Sequence, residues 1–150
     1  MSANYLIESY RLKGDLAQAL ELANQLLEIS LETNDKKAIA LTYMNLGNIR
    51  ANMGDYYLSI ENHFKSLKYC EEANEMSMIV TANINIGNVY REQGNLEKAL
   101  QFHKTSLAKS QATGDSGLIS SCYVNLGNVY SEMGRSEEGI KCWLTCLPYV

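Results

Sequence analysis

With 150 residues, 46% of them hydrophobic and 20% charged, the chain has the material for one ordinary domain and lacks the bias of a disordered segment. The formal charge is −4, and Lys and Arg are scattered among acids instead of forming a basic stripe, which argues against a nucleic-acid ligand. No apolar run approaches the ~18–20 residues that cross a bilayer, the opening stretch with Ser2, Asn4 and Glu8 lacks a signal peptide's basic and greasy run, and Cys70, Cys122, Cys142 and Cys146 form no CxxC pair; a cytoplasmic protein with reduced thiols, no metal and no cofactor is expected.

In chain order, the residues predict eight helices. The first begins at Met1, a few residues short of where its later counterparts begin, as a piece of a longer protein would, and runs to Gly14. Asp15 is an N-cap type and opens the second, which ends at Asn34-Asp35. The third closes at Gly54, the fourth opens at Asp55 and ends at Asn74-Glu75, and the fifth closes at Gly94, because glycine takes the left-handed conformation that ends a helix. The sixth opens at Asn95, carries Leu96, Ala99, Leu100, His103, Ser106, Leu107 and Ser110 on one side, and ends at Gly114-Asp115. The seventh carries Cys122, Leu126, Val129 and Met133 at i, i+4, i+7 and i+11, one apolar stripe at the 3.6 period, and stops at Gly134. Ser136, followed by Glu137 and Glu138, is the expected cap of the eighth, which runs to Pro148.

These elements repeat in register. Gly14, Gly54, Gly94 and Gly134 are spaced by one fixed interval, as are Gly47, Gly87 and Gly127, and as are Leu27, Leu67, Leu107 and Leu147. The reading is a single domain over 1–150 built from helix pairs at about 1–34, 35–74, 75–114 and 115–150. Gly47, Gly87 and Gly127 sit in mid-helix, where glycine costs roughly 0.5–1 kcal/mol relative to alanine, so they need a packing reason. Ala19, Ser59, Ala99 and Gly139 are their expected partners across each hairpin.

The pattern Leu126-Gly127, Tyr130, Gly134, a small residue at Gly139, a large ring at Trp143 and a small residue at Cys146 resembles the tetratricopeptide repeat. The resemblance covers essentially the whole chain and implies an all-α, right-handed superhelical solenoid of about four antiparallel helix hairpins. The usual period is 34 residues. The longer unit here is similar to the Leu-Gly-Asn repeats of the Pins/LGN cell-polarity adaptors and to the peptide-binding repeats of bacterial quorum-sensing regulators; Leu-Gly-Asn itself stands at 46–48 and 126–128. Two departures stand out: Arg50 replaces the aromatic found at Tyr10, Tyr90 and Tyr130, and His63 and His103 occupy the place of the large ring.

Asparagine is a mediocre helix former, yet it recurs on one face of three helices. The face reads Leu41, Asn45, Asn48, Asn52; then Thr81, Asn85, Asn88, Glu92; then Ser121, Asn125, Asn128, Glu132. The family resemblance puts the first helix of each pair on the concave surface, so these carboxamides would line a groove. A carboxamide both donates and accepts, which matches the backbone of an extended peptide. Met44, Ile84 and Val124 flank the row and would give apolar pockets, while Arg91, Glu92 and Glu132 add mixed charge at its far end. The first repeat has Tyr5 and Glu8 at the matching places, and Tyr5 is a candidate stacking anchor. The competing reading is that the asparagines brace neighbouring helices, above all Asn45, Asn85 and Asn125, which lie nearer the apolar stripe.

His63 and His103 are equivalent in adjacent repeats, with Ala23 and Trp143 as counterparts, so they read as core residues and not as metal ligands or bases. No paired acid site, phosphate loop or nucleophile elbow is present, and no catalysis is expected. Trp143, Leu144 and Leu147 make the final helix apolar on several sides, which suits either a chain that continues or a partner, including a second copy. The sequence thus points to a scaffold binding an extended peptide or disordered segment. A structural or oligomerising solenoid, and a regulatory arm of a larger signalling protein whose catalytic part lies elsewhere, are the alternatives.

Overall fold

The computed structural model describes residues 2–150 and contains eight α-helices and no strand among them. In order they are α1 (Ala3–Leu12), α2 (Leu16–Thr33), α3 (Lys36–Asn52), α4 (Tyr56–Glu72), α5 (Met76–Glu92), α6 (Leu96–Thr113), α7 (Ser116–Glu132) and α8 (Ser136–Cys146), followed by a 3₁₀ turn at Leu147–Tyr149. Met1, the expected start of the first helix, lies outside the described residues; α1 is capped by Ser2, whose hydroxyl accepts from the Tyr5 N–H. The chain falls into two compact units, Met1–Asn74 and Glu75–Val150, each holding two hairpins.

The punctuation works as local chemistry requires. Gly54 and Gly94 adopt φ of +81° and +80°, and the turn lets the N–H of Asp55 reach the Arg50 carbonyl at 2.9 Å, closing the helix end. Asn34 and Asn74 perform the same reversal at φ of 52° and 55°, a conformation asparagine tolerates better than other residues with side chains. Asp15, Asp35, Asp55, Asn95 and Asp115 each accept a backbone N–H from the first turn that follows them. At α8 the cap differs from expectation: Arg135, not Ser136, holds the N-cap position and offers no side-chain acceptor. Its guanidinium instead pairs with Glu138 one turn on and lies 4.7 Å from the Tyr130 ring centroid.

In the first unit, α3 packs along α4 and α1 along α2, around Ile7, Ala19, Ala23, Leu46 and Ile49. In the second, α5 packs along α6 and α7 along α8, around Ala99, Leu100, Leu126 and Val129, with Val80, Ile84 and Cys122 forming a second cluster. The stripes read from the sequence are those buried: Cys122, Leu126 and Val129 are at most 3% exposed. Cys70, Cys122, Cys142 and Cys146 are free thiols, and burial raises the pKa of the first three, which keeps them protonated and inert.

The mid-helix glycines have a packing reason, and beside the expected small partners at Ser59 and Gly139 each glycine meets a ring. A Cβ on Gly47 would come within 2.5 Å of the His63 ring, one on Gly87 within 2.7 Å of His103, and one on Gly127 within 2.3 Å of Trp143. The glycine therefore makes room for the ring on the second helix of its own hairpin. The small residues Ser59 and Gly139 sit one turn earlier, against backbone: Ser59 Oγ donates to the Gly47 carbonyl at 2.7 Å, and a Cβ on Gly139 would come 2.9 Å from the Gly127 carbonyl. The first hairpin inverts the fit, with fully buried Ile7 at the glycine place and Ala23 at the ring place. Bulk has moved from one helix to the other while the pair still fills its space.

His63 and His103 are fully buried, and neither nitrogen of either ring has a hydrogen-bond partner among the described residues. Burial pushes both pKa values down from 6.5 to about 4, with the Arg91 charge adding to the shift at His103. A histidine whose pKa is lower folded than free binds more protons when unfolded, so stability is full above pH ~6.5 and drains as pH falls toward ~4. Each ring contributes about 3 kcal/mol to that loss at its full extent. His103→Phe is expected to flatten the pH dependence of urea unfolding between pH 7 and 4 by about half, an unchanged slope counting against the buried neutral ring. Gly87→Ala is expected to cost about 1–3 kcal/mol through overpacking, and Gly87→Ile with His103→Ala, which copies the first hairpin, to recover most of it.

Candidate functional site

The asparagine face lies on the odd-numbered helices, about 100° round from their apolar stripes. Its ends, Asn52, Glu92, Ser121 and Glu132, are exposed, whereas Asn45, Asn48, Asn85, Asn88, Asn125 and Asn128 are half-buried. The face is thus a shelf beside the core, and its hydrogen bonds decide what it can do.

In the first unit, α1 and α3 share a polar network. Asn45 Nδ2 donates to Asn4 Oδ1 at 2.8 Å, and Arg11 donates to Asn52 Oδ1 at 2.8 Å while forming a fork with Glu8. The arginine hydrogen bond holds the Glu8 carboxyl below its usual range. Asn48, between these contacts, has no partner within the molecule among the described residues. Tyr5 is 64% exposed and, with Glu8 and Leu12, lines an open cavity of about 230 Å³ on α1.

In the second unit, α5 faces α7, and Arg91 Nε lies 3.4 Å from Glu132 Oε1. Each direct contact joins residues separated by one repeat plus one: Asn4 with Asn45, Arg11 with Asn52, Arg91 with Glu132. Ile84 occupies in α5 the place that Asn4 holds in α1, so Asn125 lacks the partner of Asn45 and turns its amide back to the Ser121 carbonyl at 2.9 Å. Asn85 and Asn128 make no hydrogen bond within the molecule among the described residues, and Asn88 Oδ1 is buried without a donor. Asn83, off this face, is 3% exposed and donates to the Ile79 carbonyl at 2.8 Å, which shows what a committed asparagine looks like here.

The flanking apolar residues divide. Met44 and Ile84 are 7% and 8% exposed, Ile84 being closed into the cluster with Val80 and Cys122, and neither offers the pocket surface expected of it. Val124, at 38%, does present that surface. Asn4 and Arg11 also belong to the shelf, and whole-repeat spacing does not show it because the contacts run between adjacent helices offset by one residue. No group of three or more His, Cys, Asp or Glu among the described residues is placed to hold a metal, and no described helix is long and apolar enough to cross a membrane.

A tetratricopeptide-repeat family profile matches residues 78–141. No curated protein sequence matches the chain. Solved structures match it closely in shape: a Rap protein complexed with competence and sporulation factor, with a TM-score of 0.89 and 15% identity over 98% of this chain and 42% of that one; BtubC (BKLC) from P. vanneervenii, with 0.85 and 21% over 98% and 61%; and a Signal Transduction ATPase with Numerous Domains protein with a tetratricopeptide repeat sensor from Pyrococcus horikoshii, with 0.85 and 18% over 98% and 23%. This is the tetratricopeptide-repeat fold. The chain spans less than two thirds of each of these three neighbours.

Within the tetratricopeptide fold, then, the shelf holds two kinds of carboxamide, engaged and open. Asn45→Ala is expected to cost on the order of 1 kcal/mol by breaking the bond to Asn4, and Asn48→Ala to stay within about 0.5 kcal/mol of the parent in urea unfolding. Equal losses would mean that Asn48 is braced as firmly as Asn45.

Proposed function

We propose that this chain is a protein-binding scaffold that holds an extended peptide or disordered segment along its odd-numbered helices. The observation that carries the reading is the unspent hydrogen-bonding capacity of Asn48, Asn85 and Asn128, half-buried carboxamides with no partner among the described residues. Even the engaged Asn45 and Asn125 use one N–H each, leaving a second donor or the carbonyl oxygen available. A peptide in extended conformation presents N–H and C=O groups that a carboxamide meets in pairs, so recognition falls on the main chain. Val124 supplies an apolar contact, and the Arg91–Glu132 pair, with Glu92 beside Arg91 in sequence, supplies charge that discriminates among ligands. The kinship in period with Leu-Gly-Asn repeats, and the Rap neighbour's complex with competence and sporulation factor, support the same use of the fold.

Each contact is worth on the order of 1 kcal/mol, and micromolar affinity needs about 8 kcal/mol, so several rungs must act together with side-chain contacts. A peptide selected on the protein from a random display library tests this. The double variant Asn88→Ala, Asn128→Ala is expected to weaken it by about 10- to 30-fold with little change in melting temperature. A sharp fall in melting temperature would assign the row to bracing instead.

A second reading rests on α8 and the turn that follows it, where Ile140, Trp143, Leu144 and Leu147 are 51%, 37%, 61% and 59% exposed. That surface suits self-association through Trp143 and Leu147. A molar mass by light scattering that stays monomeric over a 100-fold range of concentration, on the order of micromolar to sub-millimolar, would remove it.

A further inference from the structure

The exception at Arg50 leads to a second site on the other side of α3. In the third repeat, Tyr90 stacks on Phe102 with ring centroids 5.7 Å apart and Lys98 covers the tyrosine at 5.1 Å. In the second repeat those two ring places belong to Arg50 and Asn62. Where the rings would stack there is an open cavity of about 230 Å³, lined by Asn24 of α2, by Tyr43 and Arg50 of α3, and by Glu61, Asn62 and Lys65 of α4, with three leucines as its apolar wall.

The charges in this cavity are uneven. Lys65 Nζ is neutralised by Glu61 at 2.9 Å. Asn62 donates to the Leu58 carbonyl at 2.9 Å, which leaves its oxygen and its second N–H uncommitted. Arg50 is half-buried and, among the described residues, its side chain makes no hydrogen bond or ion pair, whereas Arg11, Arg91 and Arg135 each hold a carboxylate. The Arg50 side chain lines the cavity with five donors that no acceptor among the described residues answers, and a planar bidentate anion is the partner its fork fits.

We propose that this cavity receives one carboxylate side chain, an aspartate or glutamate of a partner polypeptide, with Arg50 as the fork and Asn24 and Asn62 as flanking donors. Charge selects the ligand: one unpaired cation matches a monoanion, while a phosphate dianion would meet a single free charge and the nearby Glu61. Size selects it too, since about 230 Å³ is below the ~300–1,000 Å³ of small-molecule sites and suits one side chain. The site lies on the face of α3 away from Asn45 and Asn48, so it functions whether or not the asparagine shelf binds peptide.

The test is a titration followed through the side-chain N–H signal of Arg50 in a ¹⁵N–¹H spectrum, with N-acetyl-glutamate methylamide, its glutamine analogue and blocked phosphoserine as probes. The proposal expects a saturable shift with the glutamate probe, none with glutamine, and binding weakened about tenfold in Arg50→Lys, which keeps the charge but loses the fork. The double variant Arg50→Tyr, Asn62→Phe rebuilds the Tyr90–Phe102 stack, is expected to fold with an unreduced melting temperature, and should show no response at the Asn24 and Leu27 amides. A shift of equal size with glutamine, binding of phosphoserine alone, silence with every probe, or glutamate binding that survives in the double variant would each overturn it.

Discussion

The seating of a ring over a glycine is the contact on which the other features depend. Within each of the last three hairpins, a mid-helix glycine removes the Cβ that would collide with His63, His103 or Trp143. The loss in helix propensity is accepted because the alternative is a clash of ring and side chain in a close-packed interior. The first hairpin reaches the same end with Ile7 and Ala23. What is fixed is the combined volume between the two helices, and either helix can supply it. With the glycine side committed to its own hairpin and the apolar stripe buried as well, the strip between them on an odd-numbered helix is released from close packing and can carry polar residues.

That release explains why asparagine is tolerated where it is. A helix that buried all its sides would force each carboxamide to find a partner or cost the core 1–3 kcal/mol. On the shelf, some asparagines find one, as Asn45 does with Asn4, and some do not, as with Asn48, Asn85 and Asn128. The two histidines mark the opposite limit, buried so completely that the neutral imidazole is held at the expense of its ordinary basicity. Arg50 lies between these extremes, half-buried in a polar cavity with its charge unanswered.

Helix boundaries were legible in the sequence because they are local: an Asp or Asn before a helix and a Gly or Asn after it act within one turn. The apolar stripes were legible for the same reason. The small partners of the glycines were legible and the rings were not, because Ser59 and His63 lie one turn apart on the same face of α4, and only the approach of the two helices decides which meets the missing Cβ. The cap of α8 was misplaced because the chain turns where the repeat dictates, even though Arg135 stands where Asp or Asn caps the matching helices. Burial of Ile84 depends on Cys122 of the neighbouring helix, whose one-residue offset whole-repeat spacing conceals. The same offset hid the difference between Asn45 and Asn125.

The central claim is that part of the carboxamide row is open to a visitor. Its most direct test is hydrogen exchange of the asparagine side-chain amides in protein labelled with ¹⁵N at asparagine alone. The account predicts that the Nδ2 protons of Asn48, Asn85 and Asn128 exchange nearly as fast as those of a free peptide, while those of the buried, hydrogen-bonded Asn83 are protected. Protection of all four to a similar degree would mean that the row is saturated from within and would contradict the account.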